Sequence, residues 1–128
     1  PDDPRFAAGN WFAPQLLRLD SPQHPLALRE LFGPVLGLLV AEDLDEAIAL
    51  ANATPFGLSA SLFTRDLGSA MQYLRRIEVG LVRVNGDTTG VDPHAPFGGL
   101  KGSSSGSREQ GRAARDFYTD TRTIQIHA

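Results

Sequence analysis

Residues 98–103 are the first candidates for chemistry, because they read GGLKGS and a glycine-rich loop with a lysine can hold a phosphate group. A phosphate-binding P-loop needs glycine, lysine and then serine or threonine in consecutive positions, whereas here Leu100 precedes Lys101 and Gly102 follows it. The fingerprint of dinucleotide-binding loops, GxGxxG, is absent as well. The segment therefore does not predict phosphate binding by itself.

The other side chains that could react form no recognisable catalytic or metal-binding group. His24, His94 and His127 lack the spacing of metal ligands, so we interpret them as solvated loop residues and expect no metal site. No arrangement of serine, histidine and aspartate can be assembled from the sequence. The chain has no cysteine, which excludes a thiol nucleophile, a cysteine-type zinc site and a disulfide scaffold from these residues.

Length and charge limit the function classes further. The 128 residues suit one domain, and a formal net charge of -3 offers no basic surface for nucleic acid. The apolar run at 35–41 is far shorter than the ~20 residues that span a bilayer. We therefore expect a soluble, cytoplasmic protein that binds neither nucleic acid nor membranes. Because the first residue is Pro1 rather than methionine, we also expect a piece of a longer polypeptide.

The elements that must position a site alternate between strands and helices after Pro34. The residues before it are irregular apart from one possible short strand at 15–19, and the apolar run at 35–41 predicts a strand covered on both faces. Asp43 and Glu46 have capping-box spacing, so a helix begins there. The predicted order is strand, helix, strand, helix, strand, at 35–41, 43–52, 58–63, 66–77 and 79–85. Short connections in this order imply an α/β fold with a parallel βαβαβ half-sheet.

Helical spacing predicts which side chains the two helices bury. These are Leu44, Ala47, Ile48 and Ala51 on the first helix, and Leu67, Ala70, Met71, Leu74 and Ile77 on the second. A long loop at 86–107 follows, and its centre, APFGG at 95–99, is too specific for a linker. Residues 108–118 predict a C-terminal helix. Residues 121–126 alternate as in a half-exposed strand, which must pair with its own sheet or with another chain.

Seven motifs occur in the order and at the spacing of the aldehyde dehydrogenase superfamily, which this chain resembles over essentially its whole length. They are ELFGP at 30–34, AIALANATPFG at 47–57, LSASLFTRD at 58–66, GLVRVN at 80–85, PFGGLK at 96–101, REQG at 108–111 and FYT at 117–119. The resemblance implies the C-terminal portion of the catalytic domain at 1–118 and an oligomerisation strand or tail at 119–128.

The resemblance implies an oxidoreductase that uses NAD or NADP to oxidise an aldehyde to a carboxylate. The family's cysteine nucleophile and general-base glutamate lie upstream of this region, so it assigns no catalytic residue here and predicts an inactive isolated chain. Glu30 matches the glutamate that binds the nicotinamide ribose, where a carboxylate can accept hydrogen bonds from two hydroxyls. Phe32 matches an aromatic residue beside that ribose, and Phe97 matches a wall of the substrate tunnel. Either phenylalanine could instead be a core residue.

Finer features of the pattern concern the loop and the last helix. We interpret Lys101, Arg108 and Glu109 as an architectural polar cluster that ties the loop to the helix. The spacing from Lys101 to Arg108 is one residue longer than in most members and resembles the 2,5-dioxopentanoate (α-ketoglutarate semialdehyde) dehydrogenase branch. Residues 87–95 lie where substrate-tunnel loops vary in the family, and we expect them to tune the aldehyde accepted.

Two hypotheses follow for the function of the chain. In the first, it is a fragment of a dehydrogenase, and its partners are the rest of that chain, further copies in a dimer or tetramer, and a small aldehyde. The alternative is a standalone, non-catalytic assembly or regulatory module derived from the family. In either case one face of the isolated chain would be bare apolar surface, so we expect it to self-associate.

Overall fold

Six strands and four α-helices follow one another along the chain in the computed structural model, which describes residues 3–127. The domain ranges expected from the sequence also include residues 1, 2 and 128, which lie outside the described residues. A 3-10 helix at Pro4–Phe6 comes first. The strands are β1 (Gln15–Arg18), β2 (Val35–Leu38), β3 (Phe56–Gly57), β4 (Ser59–Leu62), β5 (Leu81–Val84) and β6 (Leu100–Lys101). The helices are α1 (Pro25–Leu28), α2 (Leu44–Asn52), α3 (Leu67–Arg76) and α4 (Ala113–Tyr118). Within residues 3–127 no helix is long and apolar enough to cross a membrane.

The strands form pairs, and the two longer pairs are parallel. β1 lies beside β2 with Gln15 opposite Val35, and β4 lies beside β5 with Ser59 opposite Leu81. β3 and β6 form a short antiparallel pair. The predicted α/β class and its parallel strands are therefore confirmed. Within the described residues the predicted half-sheet is divided into separate pairs. β2 pairs with β1, whereas β4 and β5 pair with each other and are joined by α3.

Both longer helices begin at the residues that the sequence predicts. The Asp43 carboxylate accepts a hydrogen bond from the Glu46 N–H at 2.8 Å, and the Asp66 carboxylate accepts one from the Ser69 N–H at 2.6 Å. These bonds satisfy amide groups that the first turn of a helix leaves without partners. Hydrogen bonding to Ser69 also lowers the pKa of Asp66 below its ordinary value.

The core lies between α2, α3 and the β4–β5 pair. Ile48 of α2 packs with Tyr73 and Ile77 near α3, and all three are buried. Around them pack Leu44, Ala60, Leu62, Val79, Val82 and Val84. The predicted inner faces of both helices are partly wrong, and on α2 Ala47 and Ala51 are exposed. Ala70, Tyr73 and Ile77 turn inward, and this leaves Leu67, Met71 and Leu74 exposed. Burial raises the pKa of the Tyr73 phenol.

The β1–β2 pair lacks a comparable cover. Val35 is half-buried, whereas the other three residues of β2 and all four of β1 are exposed. Leu16 and Leu36, which are register partners, are 66% and 65% exposed. The prediction that the strand at 35–41 is covered on both faces is therefore wrong for this chain. In the described structure most residues of this apolar run are exposed.

The C-terminal third differs from the prediction in three places. The loop at 86–107 contains β6, because residues 100–101 run back along β3. The last helix begins at Ala113 rather than at 108, since Gln110 and Gly111 have φ values of 67° and 52° that a right-handed helix cannot hold. Residues 121–126 form no strand, because no other segment among the described residues pairs with them.

Candidate functional site

The loop between α1 and β2 presents the two residues proposed from the sequence to bind a cofactor. His24 caps α1 by accepting a hydrogen bond at Nδ1 from the Leu26 N–H, at 3.2 Å. It is half-buried in this role, so its interpretation as a solvated loop residue is wrong. Glu30 and Phe32 follow the short helix, and both are exposed. Phe32 has a φ of 51° and is 93% exposed, which rules out a core role in this chain.

Glu30 and Phe32 lie on the wall of an open cleft of about 490 Å³. Other residues of its wall are Gly37, Phe56, Leu58 and Ser103. This volume is within the range of small-molecule pockets, which combine apolar walls with a few polar groups. The exposed carboxylate of Glu30 can accept hydrogen bonds from two hydroxyls, and the Phe32 ring offers a flat apolar surface. The cleft can therefore bind a ligand that carries a diol beside a ring.

Phe97 lies in a neighbouring cleft rather than beside Glu30. Its N–H donates to the Glu109 carbonyl at 2.6 Å, and the Glu109 N–H donates back to the Phe97 carbonyl at 2.9 Å. The half-buried Phe97 lines a cleft of about 280 Å³ with Leu58, Ser103 and Phe117. Because Leu58 and Ser103 line both clefts, the structure makes the two candidate regions adjacent.

Two serines fix the turn between these clefts. Ser103 Oγ accepts a hydrogen bond from the Gly57 N–H at 2.9 Å, and Ser104 Oγ accepts one from the Gly99 N–H at 2.7 Å. The Arg108 guanidinium donates to the Gly99 carbonyl. Arg108 thus holds the glycine turn, in keeping with the predicted architectural role.

Close backbone contact explains one glycine in this region. A Cβ atom on Gly80 would lie 1.8 Å from the Gly98 carbonyl oxygen, a distance that no side chain can occupy. The start of β5 and the turn at 98–99 can approach each other only because position 80 has no side chain. Any larger residue there must displace the wall that carries Phe97.

Lys101 has a different architectural role from the one predicted. Its Nζ donates to the Asn52 carbonyl at 2.6 Å and lies 3.1 Å from Glu78 Oε2, so it joins the ends of α2 and α3 rather than the last helix. Asn52 links the same ends, because its amide donates to the Arg76 carbonyl at 2.8 Å and accepts from the Glu78 N–H at 2.9 Å. This role of Asn52 was not predicted from the sequence, because both of its partners lie at the end of another helix, more than twenty residues away.

The described clefts offer groups that can bind a ligand. No cysteine is present in the chain, so it holds no thiol nucleophile. Across residues 3–127 no three histidine or carboxylate side chains are placed together to hold a metal ion. The walls of these clefts carry the exposed Glu30 carboxylate, aromatic rings and several serine hydroxyls, of which those of Ser103 and Ser104 already accept hydrogen bonds from backbone amides.

Comparison with known proteins places these features in one family. The sequence profile of the aldehyde dehydrogenase family matches residues 2–124. The chain is 41% identical over 122 residues to the α-ketoglutaric semialdehyde dehydrogenase of Bacillus subtilis, covering 95% of this chain and 25% of that protein. It is 41% identical over 125 residues to the α-ketoglutarate semialdehyde dehydrogenase of Haloferax volcanii, covering 97% of this chain and 26% of that protein.

A solved structure agrees with the sequence matches. The NAD-dependent aldehyde dehydrogenase of Sinorhizobium meliloti superposes with a TM-score of 0.75 at 44% identity, over 84% of this chain and 21% of that one. The chain spans about a quarter of the length of the curated relatives it matches. With a family profile that matches nearly all of its residues and a shared fold, this chain belongs to the aldehyde dehydrogenase family.

Proposed function

We propose that this chain is the C-terminal part of an NAD- or NADP-dependent aldehyde dehydrogenase that oxidises a semialdehyde such as 2,5-dioxopentanoate to a carboxylate. Two observations support the substrate class. Two similar relatives are named for α-ketoglutarate semialdehyde, and the lengthened spacing from Lys101 to Arg108 resembles that branch. In this proposal the rest of the polypeptide supplies the nucleophile, since this chain has no cysteine, and also the general base, as the family resemblance implies.

The observation that carries the proposal is the cleft beside Glu30 and Phe32. An exposed carboxylate and a ring that is 93% exposed border a space of about 490 Å³, which suits a nicotinamide ribose. When bound, the dinucleotide accepts the hydride removed from the aldehyde. The role of this chain is to hold it: Glu30 accepts hydrogen bonds from the ribose hydroxyls, and Phe32 packs against the sugar and its base.

The neighbouring cleft is the proposed substrate side. Phe97 forms part of its wall, and it is fixed through its backbone to Glu109. An apolar wall here would grip the carbon chain of the aldehyde and limit the entry of water. Residues 119–127, which are exposed and contain Ile124 and Ile126, form the proposed assembly tail in a homo-oligomer.

Kinetics of the full-length polypeptide that carries this sequence test the proposal. We expect oxidation of 2,5-dioxopentanoate with NAD⁺ or NADP⁺, and a Glu30→Gln variant with a KM for the cofactor about tenfold higher, as the loss of charge-assisted hydrogen bonds implies. Glu42→Gln, which also neutralises an exposed glutamate, is the matched control and should behave as wild type. An unchanged KM and kcat in the Glu30 variant would remove Glu30 from the cofactor site.

The native size of the gene product separates the fragment hypothesis from the standalone module. An antibody against the C-terminal residues should detect a product several times the 13.8 kDa of this chain. A native product near that mass, with no aldehyde oxidation, would contradict the proposal and favour the non-catalytic module.

A further inference from the structure

Arg83, in β5, donates hydrogen bonds to backbone carbonyls of the loop that follows this strand. Its Nη1 atom donates to the Asp87 carbonyl at 2.7 Å and also to the Thr89 carbonyl, and its Nη2 atom donates to the Gly90 carbonyl at 2.5 Å. Three backbone oxygens within four residues therefore converge on one guanidinium group. A loop that turns its carbonyls toward a single side chain depends on that side chain for its shape.

Asp87 strengthens this arrangement from within the loop. Its carboxylate accepts hydrogen bonds from the Thr89 N–H at 3.0 Å and the Thr89 hydroxyl at 2.8 Å, and it lies 3.6 Å from Nη1 of Arg83. These hydrogen bonds, with a smaller contribution from Arg83, lower the pKa of Asp87. At the start of the loop, Ser61 Oγ donates to the Gly86 carbonyl at 2.5 Å. The loop is thus fixed at 86 by a serine and at 87–90 by the arginine.

The fixed loop forms one side of a third cleft. This cleft has a volume of about 250 Å³, and its wall includes Arg83, Gly90, Val91, Ala95 and Phe97. Phe97 therefore contributes to this cleft as well as to the one that it shares with Leu58. Val91 directly follows the last carbonyl held by Arg83 and lines this cleft together with Phe97.

We propose that Arg83 is a positioning residue that influences the aldehyde preference, by holding residues 87–90 so that Val91 and Phe97 shape the third cleft, which adjoins the proposed substrate side through Phe97 and takes up part of the aldehyde. This inference rests on the proposed function, because it needs Phe97 to face the aldehyde. Arginine suits the task since its planar group presents several N–H donors in fixed directions. Lysine keeps the charge but offers a single mobile ammonium, so it can replace only part of the arrangement.

The experiment compares variants of the full-length polypeptide that carries this sequence. Arg83→Met should lower the ratio of kcat/KM between 2,5-dioxopentanoate and a short unbranched aldehyde about tenfold, which is typical of a change in one pocket contact. The loss should fall on KM for the aldehyde more than on kcat, and Arg83→Lys should recover part of it. Amide hydrogen exchange at residues 86–91 should be faster in Arg83→Met than in wild type. Arg75→Met, at an exposed position on α3, is the matched control and should change neither quantity.

The outcomes separate this inference from the function on which it rests. If the wild-type polypeptide oxidises no aldehyde, the proposed function fails and the inference fails with it. If wild type is active and Arg83→Met exchanges faster at 86–91 but keeps the wild-type preference, Arg83 is only structural and the inference alone is wrong. Unchanged exchange would show that the loop does not depend on Arg83.

Discussion

Two strand pairs in this chain have the same length and the same parallel direction but opposite surroundings. The packed unit, which consists of α2, β4, α3 and β5, surrounds Ile48 so that only 3% of that residue is exposed. The open pair, which consists of β1 and β2, leaves Leu36 65% exposed. In the packed unit a ten-residue helix joins the strands, whereas the connection in the open pair is mostly irregular and its helix, α1, has only four residues.

The difference shows that an apolar strand sequence predicts burial, but that another element must supply the side chains that bury it. The run at 35–41 is as apolar as any strand of the packed unit, yet its helix-poor connection brings no layer across Leu16 and Leu36. Exposed apolar surface of this kind is usually covered by another part of the protein or by a partner. Of the two long strand pairs, the open pair is therefore the one that we expect to be covered by a partner or by a further segment.

The largest effect on stability is expected from truncating a buried side chain of the packed unit, compared with an exposed side chain of the open pair. Ile48→Ala removes a buried side chain from the packed unit and should lower the free energy of unfolding by about 2–5 kcal/mol. Leu36→Ala removes a similar side chain from the open pair and should change it by less than about 1 kcal/mol, because water already contacts that residue. Urea unfolding of the 128-residue chain, at a concentration too low for self-association, measures both. Equal losses would mean that the open pair is covered in solution.

Local features of the packed unit could be predicted from the sequence, and its cover could not. Asp43 and Asp66 act within four residues of their own positions, so spacing alone identifies both caps. The start of α4 depends on the left-handed backbone of Gln110 and Gly111. These residues directly follow Glu109, which pairs with Phe97 twelve residues earlier in the sequence. The unpaired segment at 121–126 illustrates the same limit, because its alternation specifies a strand but no partner.

The site shows a similar division. Glu30, Phe32 and Phe97 could be nominated because they match family motifs, and the structure leaves their assigned roles as predictions. Arg83 lies in the GLVRVN motif, but the motif does not indicate its role, since its partners are backbone carbonyls that any residue provides. Contacts of a side chain with a distant or folded-back backbone arise from tertiary structure, and a sequence pattern does not record them.

The next prediction tests whether the open pair is the surface through which the isolated chain self-associates. Leu16→Lys with Leu36→Lys places two charges on register partners and should weaken self-association at least about 100-fold, since burial of two leucines is worth about 3–6 kcal/mol. Sedimentation equilibrium gives the dissociation constants. Leu67→Lys is the matched control, because this residue of the packed unit is 75% exposed. If the control dissociates the chain as strongly, the self-association surface is not the open pair.

A smaller effect is expected at the junction that closes the packed unit. Asn52→Ala removes the hydrogen bonds to the Arg76 carbonyl and from the Glu78 N–H, and should destabilise the chain by about 1 kcal/mol because both groups are near water. Asn52→Asp keeps the acceptor for Glu78 but loses the donor to Arg76, so its urea midpoint should fall between wild type and Asn52→Ala. An Asp variant as weak as the Ala variant would show that only the Arg76 bond matters.

The smallest effect depends on pH and lies at the cap of α3. Since hydrogen bonds to Ser69 lower the pKa of Asp66 in the folded chain, its carboxylate adds stability that is fully present above its ordinary pKa of 3.8 and is lost as the pH falls through the folded value. An asparagine at this position would cap the helix without titrating, so Asp66→Asn should match wild type closely at pH 7 and lose less stability between pH 4 and pH 2. Urea midpoints across this range measure the difference, and Asp20→Asn, in the loop after β1, is the control in the open region. If Asp66→Asn loses as much stability in acid as wild type does, the cap is not the group that titrates, and the acid sensitivity of the packed unit must come from its other carboxylates.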